Sequence, residues 1–171
     1  MIEHLKPGGS SAAVEFETIS YRHADEILNA KLAVRRELES VLSAVKGVPV
    51  KQGPDGLTAH LVSAFKKRDW QTEVPVAENQ KHEQRFDLFK ERVAVEIEFS
   101  RYEFVYRDYF RFLSAYNADK IDVGVLLINA DPGQGGRVKH KHVAPSLDRV
   151  QDDLAWLRPT LTVPLWIVAL K

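Results

Sequence analysis

The stretch RFDLFKERVAVEIEFSRYEF, residues 85–104, decides how this chain is read. Apolar and polar residues alternate on either side of Lys90–Glu91, which predicts a β-hairpin over residues 84–99 with a two-residue turn there. Alternate residues of a strand share a face. Val93, Val95, Ile97 and Phe99 form one apolar face, and Ala94, Glu96 and Glu98 form the other. With that turn, Asp87 lies opposite Ala94 and diagonal to Glu96, within reach of it; a one-residue slip would separate them. Carboxylates beside an apolar core are costly unless paired, and a metal ion is the commonest reason for three together. A few carboxylates completed by water and phosphate oxygens is the arrangement Mg2+ prefers, and a metal so held polarises a phosphate. The same spacing of Asp87, Glu96 and Glu98 also fits ordinary carboxylates on a solvent-facing strand.

Outward from the hairpin, the periodicity assigns the other elements. Ile27, Val34, Leu38, Val41, Leu42 and Val45 recur at helical spacing over residues 24–46, and Gly47 stops that helix. A shorter helix over 57–68 turns Leu61, Val62 and Phe65 inward, and a strand over 70–78 follows. Beyond the hairpin, Val105, Tyr109, Phe112, Leu113 and Tyr116 place a helix over 102–118. The apolar run IDVGVLLIN suits a strand covered on both faces. Ser146 caps a helix carrying Leu147, Val150, Leu154 and Leu157, and TVPLWIVAL closes the chain as a buried strand. This order predicts an α/β fold, a mixed β-sheet sandwiched between helices, in a single domain over residues 1–171 with a loose leader at 1–13.

Composition narrows the chemistry. The chain has no cysteine, which excludes disulfides, thiolate zinc sites and cysteine nucleophiles and favours a reducing compartment. No apolar run resembles a signal peptide or reaches membrane-spanning length, so the expectation is a cytoplasmic protein without a membrane partner. Twenty-four basic residues balance 24 acidic ones, giving no global attraction to nucleic acid. Local clusters remain at Lys66–Arg68, Arg101, Arg107, Arg111 and Arg137–His142, each of which also reads as solvated surface. The GQGG run near residue 133 is no phosphate-binding loop, because no Gly-Lys-Ser/Thr follows it. His23 reads as a helix cap or packing residue, and Glu26 as pointing away from the carboxylates.

Several stretches resemble one enzyme family. The spacing of Asp87, Glu96 and Glu98 resembles that of the PD-(D/E)XK nucleases, and its setting is similar to the BglII and BstYI type II restriction endonucleases. YRHADEIL (residues 21–28), FKERVAVEIEFSRYEFV (89–105), DKIDVGV (119–125) and VPLWIVAL (163–170) resemble the corresponding stretches in the same order. The resemblance implies a restriction-endonuclease-like fold, with Asp87, Glu96 and the Ile97 carbonyl as metal ligands. Position 98 holds Lys in many of these nucleases and Gln in the BglII and BstYI types. Glu98 here is similar to the BamHI type, and it accepts a proton from the attacking water or holds it, a task a lysine does through its charge. Ser100 and Arg101 fall where the family approaches bases in the major groove, and arginine suits a bidentate contact with guanine. For Arg101, phosphate binding or helix capping is the alternative. Lys139, His140 and Lys141, in the 131–146 loop, are further DNA-contact candidates.

The resemblance thus implies a type II restriction-type deoxyribonuclease. It acts with Mg2+ as a homodimer on double-stranded DNA, at a short palindrome with a GATC-like core, and leaves 5′-phosphates. Two-fold DNA symmetry with one active site per subunit also calls for two subunits. Three rival readings stay open: a shape-reading repair or junction nuclease on the same fold, a DNA-binding module without catalysis, and a plain α/β domain with surface carboxylates.

Overall fold

The computed structural model describes residues 16–45, 48, 53–78, 83–130 and 144–171. In chain order the elements are β1 (Phe16–Tyr21), α1 (Ala24–Ala30), α2 (Leu32–Ala44), α3 (Leu57–Lys66), β2 (Gln71–Pro75), β3 (Arg85–Lys90) and β4 (Val93–Ile97). There follow α4 (Tyr102–Asn117), β5 (Val123–Asn129), α5 (Leu147–Trp156) and β6 (Leu165–Leu170). The strands form one sheet in the order β1-β6-β5-β4-β3-β2. Its centre, β4-β5-β6, is parallel, with α4 and α5 as the crossovers, and β1 and the β2–β3 pair add antiparallel edges.

Both faces of the sheet are covered, as the continuous apolar runs of β5 and β6 require: all seven residues of β5 and all six of β6 are buried. On one face Val93, Val95, Val125, Val168 and Trp166 pack against Leu28, Leu38, Leu42 and Phe65 of α1–α3. On the other, Ala94, Leu126, Ile128 and Ile167 meet Val105, Tyr109 and Phe112 of α4 and Val150 and Leu154 of α5. The expected sandwich is therefore present.

Three details depart from the sequence expectation. The first strand, β1, was not foreseen; its Ile19 and Tyr21 reach the core, and it pairs antiparallel along β6. The helix expected over 24–46 breaks at Lys31 (φ −110°, ψ 53°). Lys31 is drawn towards the hairpin, its Nζ lying 3.0 Å from Asp122 Oδ2 and 2.9 Å from the Glu91 carbonyl. The hairpin turn sits at Glu91–Arg92, whose φ values of 47° and 65° match a type I′ turn. Such a turn is unfavourable for these residue types, and Arg92 is held in it by bonds to Asp122 Oδ1 at 2.9 Å and Asp119 Oδ1 at 2.7 Å. The leader at 1–13, the Gly-rich run near 133 and Lys139, His140 and Lys141 lie outside the described residues.

Candidate active site

The turn placement shifts the register by two residues from that expected. Leu88 pairs with Val95 and Phe89 with Ala94, so continuing the ladder by one position puts Asp87 across from Glu96, not Ala94. A shift of two preserves the face, and the two carboxylates end up closer than foreseen. The ladder stops at that point. The Asp87 side chain accepts a hydrogen bond from the Ile97 N–H at 2.7 Å, closing the backbone gap where β3 parts from β4. Side-chain alternation breaks there too, since Phe86 faces the α4 side and Leu88 the α1–α3 side. Glu73, facing Asp87 from β2, has a φ of 54°. Asp87, Glu96 and Ile97 are thus gathered at a splay in the sheet.

Helix α4 contributes Asp108, which the sequence reading missed, and Arg111, which it took only as a local positive charge. Asp108 is 1 % exposed and Glu96 2 %, and Arg111 lies between them, its Nη1 at 3.0 Å from Glu96 Oε1 and 3.4 Å from Asp108 Oδ1. The signal was present: Asp108 falls three residues after Val105 and beside Tyr109, on the stripe that otherwise carries the core. A charged residue on such a stripe points to a polar site beneath the helix.

Burial raises the pKa of all three carboxyls. For Asp87, loss of solvent outweighs the Ile97 N–H bond. In Glu96, loss of solvent comes first, with the charges of Asp108 and Asp87 adding to it. Asp108 is raised by loss of solvent against the pull of Arg107 and Arg111. Groups raised in the folded state bind protons more tightly there than in the unfolded chain. Their stabilisation is full below the unfolded carboxylate range and is lost as pH rises through the folded values. The metal-free protein is therefore expected to melt lower at about pH 8 than at about pH 6, and Glu96→Gln to flatten that slope. Thermal melts of both proteins in chelator check this; equal slopes would remove the buried-charge account.

Among the described residues no three His, Cys, Asp or Glu side chains form a ready metal cage. Two carboxylates with a main-chain carbonyl would nevertheless supply the hard-oxygen half-shell that Mg2+ takes when phosphate and water complete it. Asp87, Glu96 and Ile97 fit that set chemically.

Glu98 stands apart from the other two acids. It is buried, and its Oε1 accepts from the Ser100 N–H at 2.9 Å, the Ser100 hydroxyl at 2.7 Å and the Arg101 N–H at 3.0 Å. Its Oε2 faces Arg107 Nη2 at 3.9 Å. Glu98 therefore shapes the turn between β4 and α4 and presents Ser100 and Arg101 at the surface, where both are exposed. Arg101 pairs with Glu103 at 3.3 Å, and the Arg101 and Arg107 guanidinium groups lie over the Phe104 ring at 5.8 and 4.7 Å. Glu26 is exposed and pairs with His23 at 3.4 Å, away from this cluster. His23 makes no side-chain cap; the Ser20 hydroxyl instead accepts from the Asp25 N–H at 3.0 Å.

Residues 16–170 match the family described as restriction endonuclease BglII/BglIII. Among solved structures, the chain is similar to the crystal structure of restriction endonuclease BglII complexed with a DNA 16-mer. The TM-score is 0.73 at 19 % identity, covering 91 % of this chain and 75 % of that one. It is similar also to the crystal structure of free BglII, with a TM-score of 0.65 at 20 % identity, covering 91 % and 79 %. No curated protein matches it.

Proposed function

As a member of the BglII/BglIII restriction endonuclease family, the chain is a site-specific endodeoxyribonuclease, and we propose that it cuts duplex DNA as a homodimer with Mg2+ held by Asp87, Glu96 and the Ile97 carbonyl. The observation that carries this reading is the meeting of Asp87 with Glu96 where β3 parts from β4. Bound there, Mg2+ supplies Lewis-acid polarisation of the scissile phosphate and lowers the pKa of a coordinated water. The chain's own residues do the rest. Asp87 and Glu96 fix the place of the reacting phosphate against the strand end, while the Glu98 Oε2 accepts a hydrogen bond from the attacking water. The water oxygen bonds to phosphorus in line as the P–O3′ bond breaks. The proton of the water passes towards Glu98 Oε2, the 3′ oxygen leaves as a hydroxyl protonated from solvent, and a 5′-phosphate remains.

Ser100 and Arg101, held at the start of α4 by Glu98, read the major groove, with Arg101 as the guanine contact. Lys139, His140 and Lys141 add phosphate contacts by their charge and hydrogen-bonding capacity. BglII has been crystallised on a DNA 16-mer, which supports duplex DNA as the substrate here. The target is a short palindrome, with GATC as the core to test first. For the dimer, α4 exposes Phe110 (73 %) and α5 exposes Trp156 (66 %), two large apolar side chains that a second copy would cover. A monomer in sedimentation, with and without DNA, would remove the dimer from this reading.

The test is digestion of a sequenced, unmethylated plasmid with Mg2+, beside Glu98→Gln. Discrete fragments sharing one palindrome are expected; random degradation would favour a nuclease that reads shape. In Glu98→Gln the single amide oxygen keeps the Ser100 and Arg101 bonds, while an NH2 group, which cannot accept from water, replaces Oε2. A loss of about 10²–10⁴-fold, the size of a general-base contribution, is therefore expected. Cutting within roughly tenfold of the parent rate would take Glu98 out of the handling of the water.

A further inference from the structure

Arg111 is the most enclosed cation of the centre and has so far had no task in the reaction. Its side chain is 15 % exposed and its guanidinium is held on every side. Nε and Nη2 donate to Gln84 Oε1, at 3.0 and 2.8 Å, from the segment leading into β3. Nη1 reaches Glu96 on β4 and Asp108 on its own helix. Three elements thus converge on one planar cation. Around it stand three largely buried acids, Asp87, Glu96 and Asp108, and one further cation, Arg107, which is 43 % exposed and lies 3.3 Å from Asp108.

Removing one partner from a buried ion pair leaves an uncompensated charge, which is far costlier than never having the pair. In the DNA-free chain the compensation next to Glu96 comes from the guanidinium. A divalent cation entering beside Glu96 meets that positive charge and must compete with it for the same carboxylate oxygens. Duplex DNA changes the balance, because the scissile phosphate brings negative charge and oxygen ligands to the same place. Arg111 is also pre-organised: the Gln84 carbonyl fixes the guanidinium plane, so it keeps a seat on Asp108 and Gln84 if Glu96 turns to a metal.

We propose that Arg111 is a positioning residue that acts through Glu96: a built-in counter-cation which holds the carboxylate in place without metal and makes divalent loading depend on DNA. This rests on the metal-site reading of Asp87 and Glu96 above. A guanidinium that merely fastened α4 to the sheet would have no bearing on metal binding, and that difference makes the proposal testable.

The experiment is thermal melting of the wild type, Arg111→Gln, Arg111→Lys and Asp87→Asn, each with chelator and with millimolar Ca2+, alone and with duplex DNA. Without DNA, Ca2+ is expected to move the wild type little. Arg111→Gln melts lower in chelator, and Ca2+ raises its midpoint by about 5 °C or more, because the metal now supplies the missing charge. Arg111→Lys keeps the charge and keeps the small wild-type response. If Arg111→Gln is destabilised equally with and without Ca2+, the residue is only structural and the proposal falls. The DNA-bound wild type separates the two readings. A Ca2+ increment there that Asp87→Asn lacks upholds the metal site, whatever Arg111 does. Loss of that increment would overturn the site and the inference together.

Discussion

Asp87→Asn is expected to leave a folded protein that no longer cuts DNA at a useful rate. The asparagine side-chain oxygen still accepts from the Ile97 N–H, which the Asp87 carboxylate does at 2.7 Å, so the gap between β3 and β4 stays bridged. What would be lost is the negative oxygen that the proposed function assigns to the metal. Metal-ion catalysis contributes several kcal/mol of charge stabilisation, and each 1.36 kcal/mol is a factor of ten, so a loss on the order of 10³-fold follows. Stability moves the other way. Burial raises the Asp87 carboxyl above its ordinary range, so at neutral pH the ionised form is a liability in the metal-free fold. The variant should therefore melt no lower than the parent in chelator. Cleavage rate and melting midpoint, measured on the same preparation, check both halves. Wild-type cutting would take Asp87 out of the metal site. An unfolded variant would mean that the Ile97 bond needs the full charge.

The sequence carried the sheet and its layers because long apolar runs leave few alternatives. IDVGVLLIN and VPLWIVAL are too short for spanning helices and too continuous for one-sided strands. It carried the nearness of Asp87 and Glu96 because the pairing moved by an even number of residues, which leaves Asp87 across from the Glu96 side of β4. It did not carry the pairing itself, since no Asn-Gly or Asp-Gly marks the turn. Glu91 and Arg92 adopt positive φ through tertiary anchoring to Asp119 and Asp122, which local sequence does not announce. The break at Lys31 has the same origin, a side chain drawn towards partners 60 and 91 residues away. β1 escaped notice because FETISY is short and lies on the sheet edge, where one-sided pairing needs only Ile19 and Tyr21 to be apolar.

The role of Glu98 shows why a motif is not a mechanism. By spacing it is the third acid of the set, yet one of its oxygens is committed to three donors from Ser100 and Arg101. That commitment ties the end of β4 to the start of α4. In the proposed reading catalysis and base recognition are thereby joined by one side chain, because any shift in Arg101 is felt at Glu98, two residues along the strand from Glu96. Asp108 and Arg111 sit two turns further down the same helix, so the orientation of α4 on the sheet governs the whole centre.

That dependence predicts a large effect at a distance, Gly124→Ala. Gly124 lies in the middle of the sheet, paired with Ala94 on one side and Leu165 on the other. A Cβ there would meet Phe112 Cδ1 at 2.5 Å and Leu165 Cδ2 at 2.8 Å, closer than packed atoms tolerate. Phe112 is fully buried and stacked on Phe86 with ring centroids 5.7 Å apart, so it has no empty space to enter. Relief must come from α4 lifting off the sheet, and Phe112 follows Arg111 directly. Overpacking of this kind costs about 1–3 kcal/mol, which for a chain of this size lowers the melting midpoint by roughly 5 °C. The same lift draws Arg111 from Glu96, so Gly124→Ala should also gain the Ca2+ response expected of Arg111→Gln. Phe112→Leu added to Gly124→Ala gives the new methyl room, and the double variant should be less destabilised than the sum of the two single ones. Melting curves of the four proteins measure that coupling. Strict additivity would mean that the sheet absorbs the methyl without moving α4, and the link from Gly124 to the site would be lost.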